Sequence, residues 1–382
     1  MSLPPLPLPT GIASRYVDCS ESVGLTFHIL EAGQASHPLI LFIHGYPEVA
    51  FSWRKVMLPI AKLGYHVIAV DQRGYGRTTG WKHTSWKETD MHEWTMTGQV
   101  RDYLALVNAI GHDHVHLVVG HDFGAVAASM CALMSPDFFK ACVLMSHPFK
   151  GSPTLPFNTA NESVKREEKP DVHQQLAQLP KPRKHYKWYN STEHAAQEWD
   201  NPPQGMSNFL RGYFHLKSAN WHGNNTHPLK AWSAEELAKL PHYYVMPLDS
   251  SMPEAVRDDM AGEDAGKTES WLSQEDLAVY VQEWQRTGFQ GALNWYRCAT
   301  DPNNQKDVLL FAGKKIECLL TFISGENDWG NFQEPHVLEK MSGACADYRG
   351  AKMVKHAGHW PQQEQPEQVV AFIQEFLDGL KV

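Results

Sequence analysis

The chain lacks the features that would send it to a membrane, a nucleic acid or a disulfide scaffold. Its 6 cysteines, Cys19, Cys131, Cys142, Cys298, Cys318 and Cys345, show no CxxC or other paired spacing, which argues against disulfides and against a zinc site. Cys131, Cys142 and Cys318 lie in apolar runs and read as core filler. No apolar run approaches the ~18 residues of a membrane-spanning helix. The proline-rich start MSLPPLPLPTG has no signal-peptide core, so the expectation is a cytoplasmic protein without a membrane partner. Positive charge is also short: Lys+Arg number 34 against 43 Asp+Glu, for a net charge of −9. With no basic stripe, nucleic acid is not an expected partner. There is no internal repeat. What remains is ample for a core, with 42% hydrophobic and 11% aromatic residues in 382. That length fits a single α/β core carrying an insertion. A monomer or a homodimer is expected.

The most informative stretch is VHLVVGHDFGAVAASM, residues 115 to 130. A β-branched run ends at Val119, then come Gly120-His121-Asp122-Phe123-Gly124-Ala125, and a small-residue helical segment follows. That is the strand, sharp turn and helix of a nucleophile elbow, G-x-Nu-x-G. The turn strains the central backbone, and side chains two positions away on either side would collide with it, hence Gly120 and Gly124. An aspartate at the apex changes the chemistry: a carboxylate attacks alkyl carbon and becomes an ester, whereas a serine alkoxide attacks acyl carbon. The alternative is a glycine-rich turn whose Asp122 only caps the helix.

Three distant segments bear on that choice. Leu41-Phe42-Ile43-His44-Gly45-Tyr46-Pro47 is a buried-type strand ending in HGYP. The Tyr46 N–H after it would join the Phe123 N–H as an oxyanion hole; otherwise HGYP is a simple turn, with an X-Pro bond able to be cis. Cys318 to Asp328 is an apolar strand delivering an acid at its end, Asp328, with Glu326 two residues earlier as the alternative. Val354 to Pro361 delivers His359 from a loop before the last helix. The chain order nucleophile, acid, histidine is that of the α/β-hydrolase triad.

Coarse organisation agrees. Leu25–Glu31, Pro38–Ile43, His66–Val70, Val115–Val119 and Val143–Ser146 read as strands, and His92–Ile110 as a helix. Strands separated by helices imply a mostly parallel sheet covered on both faces. From about 150 to about 300 the composition turns rich in Trp, Tyr, Pro, Asn and charge, with helical pieces at Ala231–Leu240 and Leu277–Thr287. Strand and helix alternation resumes near Glu317 and ends in a helix over Gln365–Leu380. The expectation is an α/β-hydrolase fold with a core of residues 1–150 and 301–382 and a helical cap of 151–300.

If the leaving group of carboxylate attack is a strained ether oxygen, a donor must support it as the C–O bond breaks. His185-Tyr186-Lys187-Trp188-Tyr189 and Gly291-Ala292-Leu293-Asn294-Trp295-Tyr296-Arg297 in the insertion carry tyrosines, neutral donors at pH 7; equally, aromatics at helical spacing pack cores. The whole set resembles the epoxide hydrolases of the soluble, α/β-hydrolase type, from about Tyr16 to the C-terminus. The resemblance rests on HGYP, GHDFGA, HYKWY, GALNWYR, Asp328 and Gly358-His359-Trp360-Pro361. It implies Asp122 as nucleophile, Tyr186 and Tyr296 as ring-opening donors, His359 with Asp328 as water activator, and Tyr46 and Phe123 N–H groups as the oxyanion hole. Tyr189 and Tyr213 are the alternatives for the earlier donor. It further implies a small-molecule epoxide as substrate, no metal or organic cofactor, and a chain without the N-terminal phosphatase domain of the mammalian soluble enzymes.

One departure discriminates. The family commonly has tryptophan after the nucleophile, where this chain has Phe123. Haloalkane dehalogenases, the rival class with an Asp nucleophile, use an indole N–H there to hold the departing halide, and phenylalanine cannot donate. Other features are given structural readings: Asp71-Gln72-Arg73-Gly74 as a turn with ion pairing, His112, His114 and His116 as a solvated strand entrance, and His121 as a packed, backbone-bonding residue.

Overall fold

In the computed structural model, which describes residues 3–155 and 171–380, eight strands form one sheet. They are β1 (Ala13–Cys19), β2 (Leu25–Ala32), β3 (Leu39–Ile43), β4 (His66–Val70), β5 (Leu117–His121), β6 (Ala141–Met145), β9 (Ile316–Gly325) and β10 (Cys345–Val354). The sheet order is β1-β2-β4-β3-β5-β6-β9-β10. β1 and β2 are antiparallel to their neighbours and the rest run parallel. This is an α/β-hydrolase fold. Every residue of β3, β4, β5 and β6 is buried, as continuous apolar runs between two helical layers should be. The short remaining pair, β7 (Arg183–His185) with β8 (Val245–Pro247), is antiparallel and belongs to the inserted helical region.

The expected elements are present, with adjusted ends. The elbow strand runs two residues further than Val119, through His121, so no loop separates strand from apex. The helix read over His92–Ile110 divides: Met91–Trp94 is a 3-10 turn, and helix α1 (Met96–Ala109) starts where the Thr95 side chain accepts the Gly98 N–H, an N-cap competing with helix continuation. Only Ala234–Leu237 of the expected Ala231–Leu240 is helical, again because a cap, Ser233, fixes its start. Residues 156–170 of the expected cap lie outside the described residues.

Four helices matter for the site: α2 (Phe123–Met134), α3 (Tyr186–Asn190), α4 (Met206–Leu216) and α5 (Gln290–Thr300). The insertion is fastened to the sheet by indoles. Trp284 Nε1 donates to the carbonyl of Pro47 at 2.8 Å and Trp295 Nε1 to that of Arg73 at 2.9 Å. Gly291 is needed where α5 presses on the turn after β4, since a Cβ there would stand 2.8 Å from the Gly74 carbonyl oxygen. No helix among the described residues is long and apolar enough to cross a membrane.

Candidate active site

Parallel register converts distant sequence into one cluster. Ile43 of β3 pairs with Gly120 of β5, so His44-Gly45-Tyr46 emerges beside the elbow. Val354 of β10 pairs with Gly325 of β9, so the loops carrying Asp328 and His359 emerge together. All of them leave the carboxyl ends of strands, where open α/β sheets form their sites.

Asp122 sits at the apex with φ 53° and ψ −117°, a conformation that a non-glycine residue adopts only under constraint. The constraint is visible on both flanks. A Cβ at Gly120 would lie 2.0 Å from the Gly124 carbonyl oxygen, and one at Gly124 2.1 Å from that of Ile43. The Asp122 N–H donates to the Met145 carbonyl at 3.0 Å, which anchors the turn to β6. Its carboxylate Oδ1 accepts the Tyr46 N–H at 3.0 Å. Phe123 opens α2, so its N–H is among those without an intrahelical acceptor.

His359 connects the two acids. Its Nδ1 lies 3.1 Å from both carboxylate oxygens of Asp328, and its Nε2 lies 3.4 Å from Oδ2 of Asp122. Asp328 is fixed in turn by the Gly330 N–H at 2.7 Å and the Ser324 hydroxyl at 3.2 Å. Glu326, the alternative acid, is exposed and accepts the His356 N–H at 2.8 Å, whereas the carboxylate on His359 is that of Asp328.

The electrostatics follow from burial and neighbours. Burial opposes ionisation of Asp122, yet His359, Lys217 and His121 hold its carboxyl well below the usual carboxylate range. Burial and Lys217 push the His359 imidazole down, but Asp328 and Asp122 outweigh them and it ends above its ordinary value.

Tyr186 from α3 and Tyr296 from α5 converge over this cluster, both buried, with ring centroids 5.9 Å apart at 78°. Tyr296 also meets Phe123 edge-on at 4.6 Å and Tyr46 at 5.2 Å. Burial and the Asp122 charge hold both phenols well above the normal tyrosine value, so they stay protonated. Of the two alternatives, Tyr189 has its hydroxyl spent, donating to Glu198 at 2.6 Å and accepting the Met252 N–H at 3.1 Å. Tyr213 on α4 is buried, with its ring centroid 5.4 Å from that of Trp199. A cavity of about 310 Å³ opens onto Asp122, Phe123 and Tyr186, at the small end for ligand sites.

The remaining readings also find their partners. Asp71 accepts from His28 at 2.6 Å and from the N–H groups of Ala50 and Arg77, while Arg73 grips Asp102 with two 2.8 Å bonds. His112 bonds His66 at 2.8 Å, and His114 pairs with Asp113. All six cysteines are free and buried.

Sequence reasoning missed a second layer. His121 does bond backbone, with Nε2 2.6 Å from the His359 carbonyl, but its Nδ1 also pairs with buried Glu48 at 2.7 Å. Glu48 further holds Gln362 and Gln363. Lys217 accepts the His359 N–H on its carbonyl at 2.8 Å, and its ammonium lies among the rings of Tyr213, Tyr244 and Trp360 at 4.9 to 5.3 Å. Glu364 receives the N–H groups of Gly358, Trp360 and Ala219 at 2.8 to 3.0 Å. Glu48 directly follows HGYP and Gln362 directly follows Gly358-His359-Trp360-Pro361, so both stood beside a motif, whereas Lys217 did not.

Fold and site together define an α/β hydrolase with an aspartate at the elbow. The family described as alpha/beta hydrolase fold matches residues 38–366. Epoxide hydrolase A of Mycobacterium tuberculosis is 30% identical over 379 residues, covering 96% of this chain and 98% of its own. The solved epoxide hydrolase from an endophytic Streptomyces superposes with a TM-score of 0.76 at 26% identity, over 98% of this chain and 97% of that one. Potato (Solanum tuberosum) epoxide hydrolase I gives 0.68 at 27% identity, over 96% and 99%. The chain belongs to the epoxide hydrolases of the α/β-hydrolase fold.

Proposed function

We propose that the chain hydrolyses an epoxide to a vicinal diol in two steps through an ester on Asp122. The observation that carries this reading is the position of Asp122. Its ionised carboxylate faces the cavity at a strained apex, with one oxygen on the Tyr46 N–H and the other beside His359 Nε2. Residues 1–150 and 301–382 act as the core, and 151–300 as the cap that brings the donors over it.

In the first step a carboxylate oxygen of Asp122 bonds an epoxide carbon and the C–O bond of the ring breaks. Tyr186 and Tyr296 donate to the departing oxygen, which stays on the substrate as the future hydroxyl. In the second step His359, oriented by Asp328, takes a proton from water. The resulting hydroxide attacks Cγ of Asp122, and the N–H groups of Tyr46 and Phe123 receive the negative charge on the carbonyl oxygen. Collapse breaks the Cγ–O bond; the proton held by His359 and the one left on the former water oxygen pass to the two diol oxygens, the diol leaves, and Asp122 is again a carboxylate that keeps the water's oxygen. The reading draws support from the relatives' names and from Phe123, which offers no indole N–H to a halide.

Oxygen tracing tests it. With enzyme in excess over styrene oxide in ¹⁸O-water, the first turnover should give unlabelled diol, and the label should appear in the peptide containing Asp122. Labelled diol from that turnover would mean that water attacks the epoxide directly.

A further inference from the structure

We propose that Lys187 is a recognition site for a carboxylate on the substrate, so that the preferred epoxides are acids whose anionic group lies away from the ring. This rests on the epoxide-opening reading above and names the substrate class for that same cavity.

Lys187 follows the donor Tyr186 on α3, and both line the cavity that opens onto Asp122. Apart from Asp122 and Tyr186, four other ionisable side chains line the same cavity: Lys150, Glu334, His147 and His185. Lys150 and Glu334 are paired with each other, so their charges are mutually met. Burial keeps the His147 imidazole neutral, down to about 3. His185, also on the wall, is likewise held well below the ordinary histidine value by burial. Lys187 is different. Its backbone is engaged by His185 and Ser191, but among the described residues its ammonium has no hydrogen-bond or ion-pair partner.

Lys187 is only partly exposed, and an ammonium that gives up part of its hydration without gaining a partner is at a disadvantage. The disadvantage registers as an amine brought down to about 7, by burial first and then by Lys150, against the pull of Glu334 and Asp122. A ligand carboxylate would supply the missing partner and restore the full charge. The rest of the wall suits the body of such a ligand. Trp188 and Trp232, partly exposed at 39% and 36%, offer ring surface beside the cation. An apolar or aromatic body with one anionic end fits a lining of this kind. Because Tyr186 and Lys187 are neighbours on one short helix, the same element fixes the epoxide oxygen and the remote anion.

The test uses two substrates that differ in charge alone, 4-(oxiran-2-yl)benzoate and its primary amide, with diol release measured for the full chain. The wild type should show a kcat/KM for the carboxylate about tenfold or more above that for the amide, as a charge-assisted bond allows. Lys187→Gln should abolish that ratio, and Lys187→Arg should keep most of it. Taking the ratio makes the readout independent of any general loss of activity or folded protein. A wild type that favours the amide, or a ratio unchanged in Lys187→Gln, overturns the proposal while leaving the ring-opening chemistry standing. Diol from neither substrate nor from styrene oxide overturns the ring-opening chemistry itself and this proposal with it.

Discussion

Nε2 of His359 stands 3.4 Å from Oδ2 of Asp122, close enough for each charge to act on the other yet without an aligned hydrogen bond. A base bonded firmly to the nucleophile would have to release it before accepting a water proton. Here the imidazole is held from its far side by Asp328 and from its backbone by Lys217 and His121, leaving Nε2 free. The division of labour predicts that His359→Gln halts only the second step. Intact-protein mass spectrometry after epoxide addition should show a gain of one substrate mass, with negligible diol. An unmodified mass in this variant, under conditions where wild type turns over, would remove His359 from the hydrolytic step.

Two hydroxyls serving one developing alkoxide predict non-additive losses. Tyr186→Phe and Tyr296→Phe should each slow alkylation by about 10- to 100-fold, the remaining donor covering part of the loss. The double variant should be slower than the wild type by more than about a thousandfold. Stopped-flow alkylation rates distinguish this from a packing role, which would give two independent losses and a lowered melting temperature. If the double variant alkylates at the wild-type rate, Tyr213 is the next donor to test.

The pH dependence should differ between the two steps, with a sign fixed by Asp122. In the free enzyme the ionised carboxylate helps hold the His359 imidazole above its ordinary value. Once the ester forms, that negative charge is gone, while Lys217 still pushes the imidazole down. The acid limb of the ester-hydrolysis rate should therefore lie at lower pH than the titration of His359 in the free enzyme. Single-turnover hydrolysis profiles set beside an NMR titration of the free imidazole check this. Coincident values would mean that the Asp122 charge does not reach His359.

The sequence disclosed what strong local chemistry marks. The elbow announces itself because Gly120 and Gly124 are sterically obligatory around a strained residue, and continuous apolar runs announce β3 to β6 because both faces are covered. The edges were silent. β1 was not foreseen, and β10, CADYRGAKMV, alternates exposed and half-buried residues with charge, as an edge strand does, so its sequence resembles a loop. Asp328 could be separated from Glu326 only by the turn's direction, which depends on the β9 and β10 register. Tyr186 could be separated from Tyr189 only by hydroxyl partners from other elements, Glu198 and Met252. Lys217 carried no signal because its carbonyl serves His359, far away in the chain, and Glu364 carried none because its partners are backbone N–H groups, which no residue type marks.

Glu364 gives the last expectation. Its carboxylate gathers the N–H groups of Gly358 and Trp360, on either side of His359, together with that of Ala219 from the insertion. It thus ties the histidine loop to the inserted region. Removing it should strand buried donors at a cost of about 2–4 kcal/mol, so Glu364→Ala should unfold at lower denaturant concentration than wild type. Glu364→Gln, which keeps one acceptor oxygen, should lose less stability. Because the loop would be freed on both sides of His359, ester hydrolysis should slow more than alkylation in the alanine variant, and adduct should build up as it does without the histidine. Equal slowing of the two steps would instead mean that Glu364 supports the fold at large and not the placement of the base.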